Sequence, residues 1–414
     1  MKVNKWTLGL AAVGLVSLPS ITQAEEKMST LMTQLSSTTI SGYVNTDMTW
    51  KPGTGNVGGI PGRAFDAPAS KQDGFNLNVV SLKIAKPMDE AQWASGYTAQ
   101  LWFGPDAAGF NTSSPNLAGA GGDMAVKQAY IEFRAPLGNG LNFKIGHFNY
   151  IGGYEQPDAG DNPNFSRSYA WTLEPASHTG LLASYTASPW LTLAAGVANT
   201  YNNGVNFRAA RLDATTGVAN PAAESEKTYM ASVALTAPES FGFAKGATLG
   251  ASVVNGLNNA SGDFGSVASV KRQTILQINV TSPTPLKALS VGASYDYLAN
   301  PALAFAAPPV NGSGYVNAVT LYGAVTITEK AKFYARGEYT WGSQDFWYGG
   351  GTAKNQRLLG LTGTFDYSLW ANVMSRLEVR WDHSANGDTP FPSGSGPGTF
   401  KNAVTLAMNM IYKF

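Results

Sequence analysis

The sequence predicts an all-β chain closed into a transmembrane antiparallel up-and-down β-barrel of about sixteen strands, with short periplasmic turns and long external loops. Three observations predict it. Apolar and polar residues alternate in short runs along nearly the whole chain. The connections between those runs alternate between short and long. No stretch of about eighteen apolar residues follows the leader, so the chain has no candidate spanning helix.

The leader comes first. Lys2 and Lys5 precede an apolar run at 6–18, Pro19 and Ser20 break it, and Thr22-Gln23-Ala24 offers small residues for cleavage. Residues 1–24 therefore read as a signal peptide, 25–37 as a polar periplasmic lead-in, and 38–414 as the barrel. Removing Lys2 and Lys5 from the 28 basic residues leaves 26 against 27 acidic ones. That balance argues against a nucleic-acid partner, which needs a basic face. Charged residues make up only 13% of the chain, below the roughly 25% of a soluble domain. With Cys at 0, the fold of an exported chain rests on backbone pairing and not on disulfides.

The first run sets Ile40, Gly42, Val44, Thr46, Met48 and Trp50 on one face and Ser41, Tyr43, Asn45, Asp47 and Thr49 on the other. The last sets Val404, Leu406, Met408, Met410, Tyr412 and Phe414 against Thr405, Ala407, Asn409 and Lys413. Between them lie runs near 75–85, 95–103, 125–134, 141–148, 178–186, 191–199, 228–236, 247–255, 272–281, 289–297, 317–327, 332–341, 356–366 and 373–382. Short turns such as 135–140, 187–189, 282–285, 328–330 and 366–368 interleave with Gly-, Asn- and Pro-rich stretches at 51–74, 104–124, 149–176, 200–226, 256–270, 298–314, 342–355 and 383–400. A soluble sandwich has no reason to sort its loops by parity. Trp50, Phe103, Tyr297, Trp341 and Trp381 fall at the outer ends of the apolar face, and Tyr185, Phe365, Tyr367, Tyr412 and Phe414 at the inner ends. Such placement suits two headgroup-level girdles.

The opposite face carries charge. Arg336 and Glu338 alternate with apolar neighbours, as do Arg376, Glu378, Arg380 and Asp382, and Gln128, Tyr130, Glu132 and Arg134. Asp47, Lys83 and Lys144 add to it, though parity slips near Val79-Val80, as a bulge would cause. Charge at membrane depth must face water or an opposite charge. A ring this wide leaves an aqueous lumen, although paired ladders closing a filled barrel are the alternative. Segment 149–176, the third external stretch, is acidic, aromatic and pinned by proline. It is expected to fold inward as a constriction, with Glu155, Asp158, Asp161 and Arg167 set against the wall charges; an ordinary surface loop is the alternative.

Several segments then resemble the OmpL-like family of outer-membrane β-barrel porins. They are Asn76-Leu77-Asn78-Val79-Val80, Lys86-Pro87, Leu101-Trp102-Phe103-Gly104-Pro105-Asp106, Lys144-Ile145-Gly146-His147-Phe148, the run Asp161 to Tyr169, and His178-Thr179-Gly180. The specific likeness lies in the first half; the second half shares only the barrel pattern. The resemblance implies passive transport of ions and small solutes in the bacterial outer membrane and supplies no catalytic residues. By analogy with sixteen-stranded porins a homotrimer is expected, packed through the Gly- and Ala-bearing faces near 191–199 and 247–255.

Enzyme chemistry is poorly represented. His147, His178 and His383 lie outside any metal-ligand spacing, no nucleophile elbow or P-loop occurs, and Asp158-Ala159-Gly160-Asp161 lacks a full calcium-loop pattern. A Ser184–His178 pair could meet only in the fold. No cofactor or resident metal is expected, and the partners are outer-membrane lipid, ions and small hydrophilic solutes. The alternative function is a substrate-selective channel, such as one for sugars, which needs a continuous inward aromatic line from Tyr43, Trp102, Tyr130, Tyr322 and Tyr334. An outer-membrane enzyme or a plugged structural anchor is a more distant class.

Overall fold

The computed structural model describes residues 37–414 except 54–61, 67–70, 72, 90, 92, 111–122, 203, 214–218, 260–270, 302–313, 344–345, 349–354 and 394–395. The leader and nearly all of the lead-in lie outside the described residues. Sixteen antiparallel strands close into one barrel. They are β1 (Thr39–Trp50), β2 (Gly74–Lys86), β3 (Ser95–Phe103), β4 (Met124–Ala135), β5 (Leu141–Asn149), β6 (Ser177–Ser188), β7 (Leu191–Ala198) and β8 (Thr228–Thr236). The ring continues through β9 (Thr248–Gly256), β10 (Gln273–Pro283), β11 (Leu289–Ala299), β12 (Tyr315–Thr326), β13 (Ala331–Gly342), β14 (Gln356–Trp370), β15 (Val373–Ser384) and β16 (Asn402–Lys413). Each strand pairs with its sequence neighbours, and β1 closes on β16. Gly42 N–H donates to the Phe414 carbonyl at 2.9 Å and Phe414 N–H returns the bond at 3.0 Å.

Closure follows from the solvent. A backbone N–H or C=O left open in hydrocarbon costs several kcal/mol, so a sheet without edges is the stable answer. The alternation then decides orientation. On β16, Ala403, Thr405, Ala407, Asn409 and Ile411 are buried while Met408 and Tyr412 are exposed. The outward face carries Ile40, Phe75, Ile278, Leu321, Leu361 and Val379, all exposed. Trp50, Phe103, Phe365, Tyr367, Tyr412 and Phe414 are also exposed at the ends of their strands.

Among the register shifts of the barrel, two bulges lie within the strands and turn an extra residue inward. Asn45 pairs with Val79 and Thr46 with Leu77, so Asn78 has no opposite residue. Gln100 pairs with Gln128 and Leu101 with Val126, so Lys127 is likewise extra. Each bulge turns two consecutive residues toward the inside, and both Asn78 and Val79 are buried. The slip expected near Val79-Val80 therefore lies one residue earlier. The β8–β9 turn, 237–247, is the most elaborate at its end of the barrel and winds into a short 3-10 helix, Glu239–Ala244. The external connections also carry a helix at Pro105–Phe110, a helix at Tyr169–Leu173 and two small hairpins, Arg211–Leu212 with Ala219–Asn220 and Phe391–Ser393 with Gly396–Phe400.

Leu321 is 60% exposed midway along β12 and points at lipid. Leu321→Arg should destabilise the barrel by about 2–4 kcal/mol, the range for a cation at the bilayer midplane. Equilibrium urea unfolding from lipid vesicles measures this, and an unchanged midpoint would contradict the assignment of that face to lipid.

Candidate functional site

The connection between β5 and β6 does not stay on the rim. It crosses the lumen and meets β13, β14 and β15, half-way round the ring. Its own side chains shape it. Asn162 accepts from Gln156 N–H at 2.7 Å and donates to the carbonyls of Gln156 and Asp158 at 2.7 and 2.8 Å, closing a tight turn around Pro157. Ser168 caps the helix Tyr169–Leu173 by accepting from Trp171 N–H at 3.2 Å.

The wall charges grip this loop directly. Arg336 pairs with Glu155 at 3.1 Å and with Glu338 at 3.1 Å, and donates to the Ser166 carbonyl at 2.6 Å. Arg380 pairs with Asp382 at 2.8 Å and Glu338 at 3.3 Å, and donates to the Arg167 carbonyl at 2.5 Å. Arg376 donates to the carbonyls of Ala159 and Asn162 at 3.0 and 2.5 Å and pairs with Asp366 at 3.3 Å. The acids take backbone donors: Glu378 accepts from Phe165 and Ser166 N–H at 2.7 and 3.0 Å, and Glu338 from Tyr169 N–H at 2.6 Å. The Tyr169 hydroxyl donates to Asp382 at 2.8 Å. Arg167 donates to the Pro157 carbonyl at 2.7 Å and lies over the rings of Phe65 and Trp171. Buried pairs of this kind offset their own desolvation only when geometry and extra hydrogen bonds are good; removing one partner costs about 3–5 kcal/mol.

A second anchor holds the near side. Asp158 accepts from Lys127 at 3.0 Å, Gln100 at 2.8 Å and the Tyr43 hydroxyl at 3.1 Å. Burial alone would raise the Asp158 carboxyl. The Lys127 charge, with these hydrogen bonds, outweighs burial and holds the carboxyl below the usual carboxylate range. Lys127 is fully buried and packs on Trp102. The simple alternation hid it, because only the bulge turns it inward; the consecutive polar pair Lys127-Gln128 was the available signal. The first external connection is a further contributor that alternation does not announce. Arg63 reaches Asp66 at 3.3 Å and Asp382 at 3.5 Å, Lys51 pairs with Asp66 at 2.6 Å, and Lys71 pairs with Asp106 at 2.8 Å.

The other expected site residues lie apart from the clamp. Asp161 meets Lys413 at an exposed rim, 3.3 Å away. Glu132 stands opposite Lys144 in the β4–β5 register, Lys144 covers the Tyr130 ring, and Arg134 donates to Asn142 at 2.9 Å. Among the inward aromatics, Tyr43 and Trp102 are buried beneath the loop, Tyr322 stacks on Tyr154 at 3.9 Å, and Tyr334 lines open space. A Cβ at Gly292 would run into the Tyr154 hydroxyl, so a side chain there would push the Tyr154 ring aside.

Among the described residues, two large cavities flank the loop. One, of about 700 Å³, lies toward the periplasmic side and is lined by Tyr154, Asn279, Ser290, Tyr334, Asp366 and Arg376 among others. The second, of about 400 Å³, runs along β8–β10 past Tyr150, Ser232, Ser252 and Asn279. Gly153, Thr248 and Asn279 line both. Toward the outside the inward face changes character: Met230, Val254, Ile275, Leu298, Val316 and Leu358 form one buried cluster with Tyr169, Leu173, Trp347, Tyr348 and Phe391 from the loops.

A sixteen-strand barrel, greasy outside, with an inward loop and a polar, cavity-bearing lumen, has the architecture of a porin. The family model described as "Putative beta-barrel porin-2, OmpL-like" matches residues 37–414. The chain belongs to that family. It is an outer-membrane porin, and its fold is shared by solved porins of low sequence identity. The anion-selective porin from Comamonas acidovorans is 8% identical, with 91% of this chain and 99% of that chain covered and a TM-score of 0.58. The channel DcaP of Acinetobacter baumannii is 13% identical, with 91% and 97% covered and a TM-score of 0.54. The trimer form of Vibrio cholerae OmpT is 11% identical, with 91% and 99% covered and a TM-score of 0.53. No curated protein matches the sequence.

Because the Asp158 carboxyl is held low, its contribution to holding the loop of this porin is fully present above about pH 4, the unfolded carboxylate value. The contribution is lost as pH falls through the lower folded value. Lys127→Met should move the Asp158 carboxyl upward, to the ordinary range or beyond. Carboxyl carbon shifts of Asp158 against pH measure this, and an unmoved titration would show that Lys127 is not the partner that matters.

Proposed function

We propose that this porin passes ions and small hydrophilic solutes by diffusion, through a passage whose width is set by the loop 149–176. The observation that carries the reading is the clamp. Arg336, Arg376 and Arg380, with Glu338, Glu378 and Asp382, hold the loop across the ring, and the two cavities lie beside it along β8–β15. In this reading the charges act first as fasteners. Glu155 and Asp158 each sit on a cation within hydrogen-bond distance, which shortens the field they cast into open water. Hydroxyl and amide groups at Ser232, Ser252, Asn279 and Thr281 wet the adjacent wall, a surface suited to solutes that carry their own hydration. External loops narrow the outer entry through the apolar cluster.

Purified protein in a planar bilayer should therefore show small, stepwise conductance in KCl. Arg336→Ala, which leaves Glu155 without its ion pair and Glu338 with Arg380 alone, should raise that conductance and add current noise, as should removal of residues 157–167. A stably folded but silent barrel, or a conductance indifferent to both changes, would reject the reading.

We infer that the assembly is a homotrimer, in keeping with the trimer form of the similarly folded OmpT. Semi-native electrophoresis with mass measurement in detergent should give three protomers per particle; a uniformly monomeric species would overturn it.

A further inference from the structure

The arginines fasten one flank of the crossing loop, and a different contact fastens its exit limb. Glu174 closes the helix Tyr169–Leu173, which packs on β11, and its carboxyl lies against that of Asp296 on the inner face of β11. Asp296 is 0% exposed, and apart from Glu174 only the Ser294 hydroxyl on the same strand acts on its carboxyl as a hydrogen-bond partner. Two carboxyl groups placed side by side can bond each other only through a proton that one of them carries.

The surroundings offer the pair no countercharge. Glu155 faces it from the entry limb of the loop, and its own charge is taken by Arg336 at 3.1 Å. Tyr150 faces it with a hydroxyl already engaged by Ser252 at 2.8 Å. Tyr201 faces it from the connection after β7 with a buried hydroxyl that has no partner among the described residues. No basic side chain stands among the groups acting on Glu174 or Asp296. A second negative charge placed here would be buried beside the first, and the cheapest relief is for one carboxyl to move into water. Asp296 belongs to a fully paired strand. Glu174 belongs to a loop that borders the 400 Å³ cavity through Tyr150, Ile151 and Gly152. The loop is therefore the part that yields.

We propose that Glu174 and Asp296 share one proton, that this proton seals the exit limb of the loop to the β11 wall, and that its loss widens the passage and turns it toward cations. The proposal rests on the reading that the loop sets the width. Burial first, and the Asp296 carboxyl after it, push Glu174 well above the ordinary carboxylate range. The seal is therefore complete below about pH 4.3, the unfolded glutamate value, and is lost as pH rises through the higher folded value.

The test uses the full-length protein in planar bilayers under a KCl gradient, from acidic to alkaline pH, with infrared spectra of the same protein in vesicles. The wild type should show conductance and cation preference rising reversibly with pH, and at neutral pH the carbonyl band of a protonated, water-shielded carboxyl. Asp296→Asn and Glu174→Gln should each abolish the band and flatten both pH profiles. The two variants serve as mutual controls, each checked for folding by heat-modifiable electrophoresis. A wild-type profile that is flat with pH, or a neutral-pH spectrum without the band, overturns the proposal. If Arg336→Ala still raises conductance in that case, the width-setting role of the loop stands without the proton seal.

Discussion

A peptide group in hydrocarbon must find its hydrogen bond within the chain, and nearly every feature of this porin can be traced to that demand. It removes edges, so β1 must return to β16. It fixes the period at two, since a strand shared with lipid on one face and water on the other can sort its side chains only by alternation. It also exports all irregular backbone to places where water or protein can satisfy it. That is why the turns at one end are terse and the connections at the other are free to grow, fold back and acquire a task.

The lumen then becomes a second interior. Its inner wall offers charge because lipid cannot take it, and the crossing loop uses that charge as a scaffold. Backbone carbonyls of Ala159, Asn162, Ser166 and Arg167 meet arginines, while backbone N–H groups of Phe165, Ser166 and Tyr169 meet glutamates. The wall thus supplies to a stretch with little regular structure the hydrogen bonds that a helix or sheet would supply to itself. The same wall grades from charged at mid-depth to apolar near the outside, where Val254, Ile275 and Val316 pack against loop aromatics. One barrel therefore holds a polar waist and a small hydrophobic core above it.

Much of this was legible in the residues. Strand count, inward parity and the identity of the long third loop follow from alternation and spacing, because both are local consequences of the pleat. What the charges touch is not local. Arg336 and Glu155 are far apart in the chain, and nothing in the spacing of either announces that they meet. Lys127 was hidden for another reason: a single extra residue in β4 reverses which side chain looks inward, and an alternating pattern has no symbol for it except two polar residues in a row. The inward reach of Arg63 and Asp66 is hidden as well, since a Gly- and Pro-rich connection reads the same whether it lies on the rim or dips inside. The Glu174–Asp296 contact is the extreme case, because two acids in unrelated segments would be expected to avoid each other.

The hydrogen bonds between Gly42 and Phe414 carry a consequence for how the molecule is made. Of the barrel strands, the first to be made is completed by the last, so the ring has no finished seam until β16 has been made. Until then Val44 lacks its partner Tyr412, and an open strand edge travels with the chain. Assembly therefore waits on one contact between the first and last strands of the barrel, a pairing of high sequence separation, and the unfinished sheet must be shielded from other chains while it waits.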